Sequence, residues 1–429
     1  MYLLRTKGFQ HLTSVQFKFS KIPQDSAISI QMLRSWDEYW KRNVLMDVSQ
    51  VRESISKQAR VSREKQRFFK GSVGDLSDIQ LTAWREYLKS NPLDLVSIRT
   101  PQLGQLIRSG LPPRYRGEIW QLLAGSLYKE HLFPLEYRNI LRESIDQETL
   151  ATEEIGRDIN RTFPEHPFYQ KERGRNVLKQ ILTAYSFRNP SIGYCQSMNI
   201  VCAFQMLFMT EEKAYWMVTS VCEDILPDYY APSMIGCTTD QAAFEQLLRE
   251  RMPDLHAHFI HLAIPITLIT IPWLLCTFVG FLSWEATLRV LDCFFYEGRQ
   301  VLFQVGLSIF KIYRSRILEC EDSVDVIELL KNSDVECDEL FKVAFGDFED
   351  ITGEFIEQLH KELRSKVVRD LQCKLEKRKQ TAALQLSRKH FKAKRSNSES
   401  GMTKELSSTS LITPPTTPRF YCFYPTTPG

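Results

Sequence analysis

At 429 residues the chain has room for two or three units of about 150 residues each, and its 43% hydrophobic and 25% charged residues are ordinary for a globular protein. A net charge of +3 is too small to argue on its own for nucleic-acid or membrane binding, so partners have to be sought in local features. The ten cysteines begin only at Cys195, none forms a C-x-x-C pair, and no Cys/His cluster has zinc-ligand spacing. That pattern argues against a disulfide framework or a zinc site and for free thiols in a reducing compartment. Met1 to Gln10 carries only a two-leucine apolar patch, too short for a signal-peptide core, so the expected location is cytoplasmic.

Residues 1–100 read as a helical extension or linker. Leu33, Trp36, Trp40 and Val44 recur at helical spacing, as do Trp84 and Leu88. Between them Val51 to Lys70 is polar, either a solvated helix or a linker, and Asn91-Pro92 marks a break because the residue before proline is pushed out of helical geometry. Residues 101–345 change character: apolar residues cluster in helical windows such as Ile119 to Leu123, separated by Gly and Pro, and alternating strand patterns are scarce. An all-α domain of many short helices is expected. Leu262 to Trp284 holds 23 residues without a charge, long enough to span a bilayer. Pro265, Pro272 and three threonines interrupt it and no basic cluster flanks it, which favours buried helices broken at the prolines.

Residues 346–395 predict an amphipathic basic helix. Phe355, Leu359, Leu363, Val367, Leu371 and Leu375 form one stripe, and residues 361–395 hold thirteen Lys/Arg against three Asp/Glu. A solvated face is the usual reading of such a run; peripheral attachment to an acidic membrane is the second. Residues 396–429 are Ser/Thr/Pro-rich and expected to be disordered, with Thr413, Thr417 and Thr427 each before a proline and Ser398 after basic residues as candidate phosphorylation sites.

The chain lacks a G-x-x-x-x-G-K-[ST] phosphate loop, a G-x-G-x-x-G fingerprint, a G-x-S-x-G elbow and an H-E-x-x-H helix, so it has no evident site for a nucleotide or a covalent intermediate of its own. His256, His258 and His261 cluster without a Cys or paired carboxylate to complete a ligand set, and read as surface histidines.

Three segments stand out instead. In Leu106 to Trp120, Pro113 suits a first helical turn, and Arg116 and Trp120 are four apart, so the guanidinium can stack on the indole. In Ile155-x-x-Asp158-x-x-Arg161 the three side chains share one helix face. Pro164 is expected to end that helix, so Arg161 falls in its last turn, where Asp158 could hold the guanidinium in a fixed direction. In Asn189 to Asn199, Pro190 and Gly193 shape a tight loop leading into a helix through Val201, Phe204 and Leu207, with Tyr194 and Gln196 at its start. A glutamine there offers both an amide donor and a carbonyl acceptor. Taken singly, each segment also fits core packing, an exposed ion pair or a locally satisfied helix start.

Together they resemble the TBC (Tre-2/Bub2/Cdc16) domain, the catalytic module of Rab GTPase-activating proteins, whose R-x-x-x-W, I-x-x-D-x-x-R and Y-x-Q elements read here as Arg116/Trp120, Ile155/Asp158/Arg161 and Tyr194/Gln196. The resemblance continues in Trp273 with Phe278 and Phe281, and in Asp292 to Gly298, and covers residues 101 to 345. One position departs: Ser197 stands where the family usually has glycine, and serine is small enough that the loop is expected to survive.

The resemblance implies an all-α domain of two helical subdomains that binds a Rab-family small GTPase, not nucleic acid, and so regulates vesicle trafficking, with recruitment to endomembranes. It implies that Arg161 and Gln196 act in trans as arginine and glutamine fingers, with Asp158, Tyr194, Ile155, Arg116 and Trp120 in support. No cofactor of its own is implied: GTP and Mg²⁺ belong to the partner, and no intrinsic nucleotide hydrolysis is expected. The alternative is a catalytically silent scaffold that binds the GTPase; such a protein would be expected to lose the arginine or the glutamine, and this chain keeps both.

Overall fold

The computed structural model describes residues 77–90, 99–144, 146–331 and 334–399. The expectations for Leu33 to Val44, for Val51 to Lys70, for Asn91-Pro92 and for residues 400–429 lie outside them. Among the described residues every regular element is helical. In chain order they are α1 (Asp78–Ser90), α2 (Pro101–Ser109), α3 (Arg116–Leu123), α4 (Ser126–Leu132), α5 (Glu136–Ser144), α6 (Leu150–Ile159), α7 (Pro167–Gln170), α8 (Glu172–Arg188), α9 (Met198–Met206) and α10 (Glu211–Ser220). A π-turn (Val221–Ile225) separates these from α11 (Ile235–Arg251), α12 (Pro253–His261), α13 (Thr267–Leu275), α14 (Trp284–Glu297), α15 (Gln300–Ile312), α16 (Arg314–Leu318), α17 (Ser323–Lys331), α18 (Cys337–Gly346) and α19 (Gly353–Glu399).

Local chemistry explains the boundaries. Thr100 caps α2, its hydroxyl accepting from the Leu103 N–H at 3.2 Å, with Pro101 behind it and Gly110 (φ 123°) closing the other end. Thr149 and Thr152 form a capping box at α6, exchanging bonds of 2.8 and 3.2 Å. Such caps satisfy backbone donors that a helix start leaves without intrahelical partners.

Among the described residues the helices form two halves around one continuous core. In the first half α8 is central: its buried Leu178, Ile181, Leu182 and Tyr185 pack among α5, α6, α9 and α10. In the second, α11 packs on α12, α13 and α19, and α15 on α14, α16 and α18. α14 also packs against α2 and α3, tying the halves together. There the Tyr296 ring lies against the α2 backbone: a Cβ at Gly104 would lie 2.7 Å from it. α1 docks on this junction, its buried Trp84 donating from Nε1 to the Gly110 carbonyl at 2.8 Å.

Arg116 and Trp120 do not stack as expected. Both reach across to Asp292 on α14: Arg116 Nε and Nη2 donate to its two oxygens at 2.9 and 2.8 Å, and Trp120 Nε1 donates to Oδ1 at 2.7 Å. All three are essentially solvent-free, so this motif is a lock inside the fold and touches no visitor. Burial pushes the Asp292 carboxyl above its ordinary value, with Arg116 opposing.

The apolar stretch 262–284 folds into α13 and turns. No helix among the described residues is long and apolar enough to cross a membrane. Pro272 lies inside α13 without ending it; the break comes at Cys276 to Gly280, where Thr277, Phe278 and Gly280 take positive φ of 49, 63 and 87°. His256 and His258 are partly buried and His261 is exposed; no metal-ligand cluster occurs among the described residues. α19 packs on α11, where His360 Nδ1 lies 2.6 Å from Asp240 Oδ1, and it buries Ile356 and Leu359 in the core; further along, Leu375 is 54% exposed. Its backbone stays helical through Glu399, beyond Ser396, where the tail was expected to begin.

Two stability outcomes follow from the buried charges. Arg116→Met should cost about 3–5 kcal/mol, because it strands Asp292 without its counter-charge; denaturant unfolding measures it. Glu118, on α3, is 8% exposed and neither of its carboxylate oxygens has a hydrogen-bond partner. Burial pushes its pKa up to about 7, against the opposing charge of Lys213. The folded state therefore keeps a proton that the unfolded chain releases nearer the ordinary value of 4.5, and stability falls as pH rises between the two. Glu118→Gln should be more stable than the parent at pH 8, by up to about 3.5 kcal/mol at roughly 1.4 kcal/mol per pKa unit, and lose that advantage towards pH 4.5; melting curves across that range check it.

Candidate functional site: an arginine turn tied to a glutamine loop

α6 does not extend to Arg161. It ends at Ile159, five residues before Pro164, and Arg161 sits in the turn just beyond, its N–H on the Asp158 carbonyl at 3.2 Å. The orienting contact survives this shift. Arg161 Nε and Nη2 lie 2.9 and 2.7 Å from Asp158 Oδ1. The Arg161 side chain is 40% exposed and that of Asp158 only 8%, so a buried carboxylate aims a guanidinium that solvent and a visitor can reach. Ile155 is fully buried beneath them.

The other oxygen of the same carboxylate, Oδ2, accepts from the Tyr194 hydroxyl at 2.7 Å. One side chain thus joins two motifs 36 residues apart. Gln196, two residues past Tyr194 and hence within about 7 Å of it along the backbone, is partly exposed. Its loop hangs from the end of α8: Asn189 O accepts from the N–H groups of Ile192 and Gly193 at 3.1 and 2.8 Å, and Gly193 takes φ 63°.

A second tie lies beside the first. Thr162 Oγ1 donates to the Asp158 carbonyl at 2.7 Å and accepts from Asn199 Nδ2 at 2.7 Å, while Asn199 Oδ1 accepts from the Ser197 N–H at 3.1 Å. The buried Thr162 and Asn199 were not singled out by sequence reasoning. The available signal was Asn199 itself, whose side chain competes with helical hydrogen bonds and so favours a helix start, where it can bond to its own backbone. Chemically, the arrangement holds a partly exposed guanidinium on a turn tied to the loop that carries the partly exposed Gln196, with no metal-ligand cluster among the described residues.

Ser197 occupies a left-handed conformation, φ 92° and ψ −25°, and is 3% exposed. That region favours glycine and costs other residues about 1–2 kcal/mol. The strain is held because the Ser197 N–H is engaged by Asn199 and its carbonyl accepts from Ile200 and Val201 at 3.1 and 3.2 Å, starting α9. Ser197→Gly should therefore keep or raise the melting temperature, whereas Ser197→Val, β-branched at positive φ, should lose about 2 kcal/mol or more; thermal melts of the two variants distinguish these outcomes.

Residues 113–318 match the Rab-GTPase-TBC domain, a span that contains Arg161, Tyr194 and Gln196. GTPase-activating protein gyp2 of Schizosaccharomyces pombe is 34% identical over 322 residues, covering 70% of this chain and 45% of the relative. TBC1 domain family member 2B of Mus musculus is 31% identical over 273 residues, covering 62% of this chain and 28% of the relative. The chain thus spans less than half the length of these curated relatives. Among solved structures, the Chlamydomonas flagellar RabGAP TBC domain superposes with a TM-score of 0.56 at 26% identity, covering 69% of this chain and 96% of that one. The Ypt/Rab-GAP domain of Gyp1p shares the fold, with a TM-score of 0.54 at 20% identity over 63% of this chain and 98% of that one. On this evidence residues 113–318, the segment that brings Arg161 and Tyr194 onto one carboxylate, belong to the Rab-GTPase-TBC domain family.

Proposed function

We propose that the chain is a GTPase-activating protein that accelerates GTP hydrolysis on a Rab-family small GTPase by lending it Arg161 and Gln196. The observation that carries this reading is the shared Asp158 carboxylate, which ties the arginine turn to the glutamine loop while leaving the guanidinium 40% exposed. Hydrolysis of a bound GTP needs charge neutralised on the transferring phosphoryl group and a water held in line. Arg161 supplies the first, with a planar fork that suits two phosphate oxygens. Gln196 supplies the second, accepting from the water through its carbonyl and donating through its amide. GTP, Mg²⁺ and the phosphate-binding lysine come with the partner, so the chain needs no phosphate loop of its own. Control of membrane traffic from the cytoplasmic side follows from such a partner.

Single-turnover hydrolysis by a panel of GTP-loaded Rabs tests the assignment. Arg161→Ala should slow the accelerated rate by ~10³-fold or more, as loss of an arginine finger does elsewhere. Arg161→Lys keeps a cation beside Asp158, and with it the fold, yet should be nearly as slow. Gln196→Ala should also lose most of the acceleration. Unchanged rates in Arg161→Ala would refute the reading, and GTPase binding without any acceleration by the unaltered chain would favour the silent scaffold.

A further inference from the structure

The loop that carries Gln196 has a second anchor, at its base. α8 ends at Arg188, and Asn189 opens the loop. Asn189 is its hub: the carbonyl accepts from Ile192 and Gly193, Oδ1 accepts from the Ser191 hydroxyl at 2.5 Å, and Nδ2 donates to Glu223 Oε1 at 3.3 Å. The same Glu223 oxygen accepts from Arg188 Nε at 3.3 Å. Glu223 Oε2 accepts from Lys129 at 3.1 Å, and Lys129 also pairs with Asp224 at 2.8 Å. Arg188 pairs further with Glu136 and lies over the Trp216 ring, 5.2 Å from its centroid.

The backbone is shaped for this. Glu223 lies in the π-turn Val221–Ile225, closed by the Leu226 N–H on the Val221 carbonyl at 2.9 Å. In a regular α-helix adjacent side chains diverge by about 100°. Here Glu223 and Asp224, adjacent in sequence, converge on one ammonium. Such π-turns recur at functional sites. Burial favours the protonated Glu223 carboxyl, but Lys129 and Arg188 outweigh it and hold the group below the usual carboxylate range.

We propose that Glu223 is a positioning residue for the glutamine-bearing loop, fixing it through Arg188 and Asn189 so that Gln196 meets the partner's nucleotide at a set angle. This rests on the reading of Gln196 given above. The bland alternative is a polar staple that merely fastens the π-turn to α8. The two differ in what removal of the carboxylate does. In Glu223→Ala, Arg188 retains Glu136 and Lys129 retains Asp224, so the cations stay paired and the fold is kept.

The test uses the full chain, a GTP-loaded Rab that the unaltered chain accelerates, and amide hydrogen exchange on the free protein. Glu223→Ala should lower kcat about tenfold with KM within about twofold, the split expected of a group acting on the reaction rather than on association. In a Gln196→Ala background the same substitution should change the rate less than about twofold, because the two act through one group. Exchange at the amides of residues 191–196 should rise about tenfold, while that of 158–163 stays unchanged. Glu223→Gln, which keeps an oxygen acceptor for Asn189, should restore slow exchange. Unchanged exchange at 191–196 in Glu223→Ala would overturn the proposal, as would an equal loss of rate with and without Gln196. Should no Rab be accelerated at all, the finger reading falls, and the exchange data still decide whether Glu223 holds the loop.

Discussion

The surface depends on one carboxylate. Asp158 spends its two oxygens on different segments, one on Arg161 and the other on Tyr194, and it does so almost out of solvent. A surface ion pair between residues three apart contributes only a few tenths of a kcal/mol. The same pair with its acid shielded is worth more, because water no longer competes for the carboxylate and each bond is charge-assisted. Geometry is gained along with strength: neither the turn after α6 nor the loop before α9 can shift without breaking a bond to the other. Thr162 and Asn199 repeat the tie on the backbone side, so the two segments behave as one unit.

The remaining structure brings that unit to the surface and keeps it there. α8 underlies both segments, packing against α6 on one side and handing the chain to the glutamine loop at its end. The cost is paid in backbone strain, in a serine held left-handed at the foot of α9 where the loop must turn inward. Arg116, Trp120 and Asp292 serve at a distance, joining α3 to α14 so that the two halves share a core.

Much of this was legible in the sequence, for reasons that differ by residue. Arg161, Asp158, Tyr194 and Gln196 could be picked out because the I-x-x-D-x-x-R and Y-x-Q spacings, in that order, resemble the TBC domain, whereas singly each also fits an exposed ion pair or a helix start. The helical class was legible from apolar spacing in windows such as Ile119 to Leu123. What the sequence did not show was every contact made across the fold. Arg116 and Trp120 are four apart and so invited a local stack, yet both turn to an acceptor more than 170 residues away, since the buried guanidinium finds only the Leu111 carbonyl, at 3.1 Å, nearby and needs a counter-charge as well. The end of α6 was misplaced because Pro164 is the nearest visible breaker, whereas Ile159 precedes a turn closed by Thr162, whose hydroxyl replaces the next helical bond. Pro272 misled in the opposite sense, sitting inside α13 without ending it. Glu223 offered no signal at all, because its value comes from a π-turn that no local pattern announces.

The long-range lock between Arg116 and Asp292 bears on how the protein is made. Its partners are 176 residues apart. At a synthesis rate of about 5–20 residues per second, Arg116 leaves the ribosome roughly ten to thirty-five seconds before Asp292 does. Throughout that interval α3 cannot close over its guanidinium, since burying it without a counter-charge is prohibitive. The seam between α3 and α14 is therefore completed only after α14 emerges. A chain cut anywhere before Asp292 lacks the counter-charge that Arg116 meets in the folded interior.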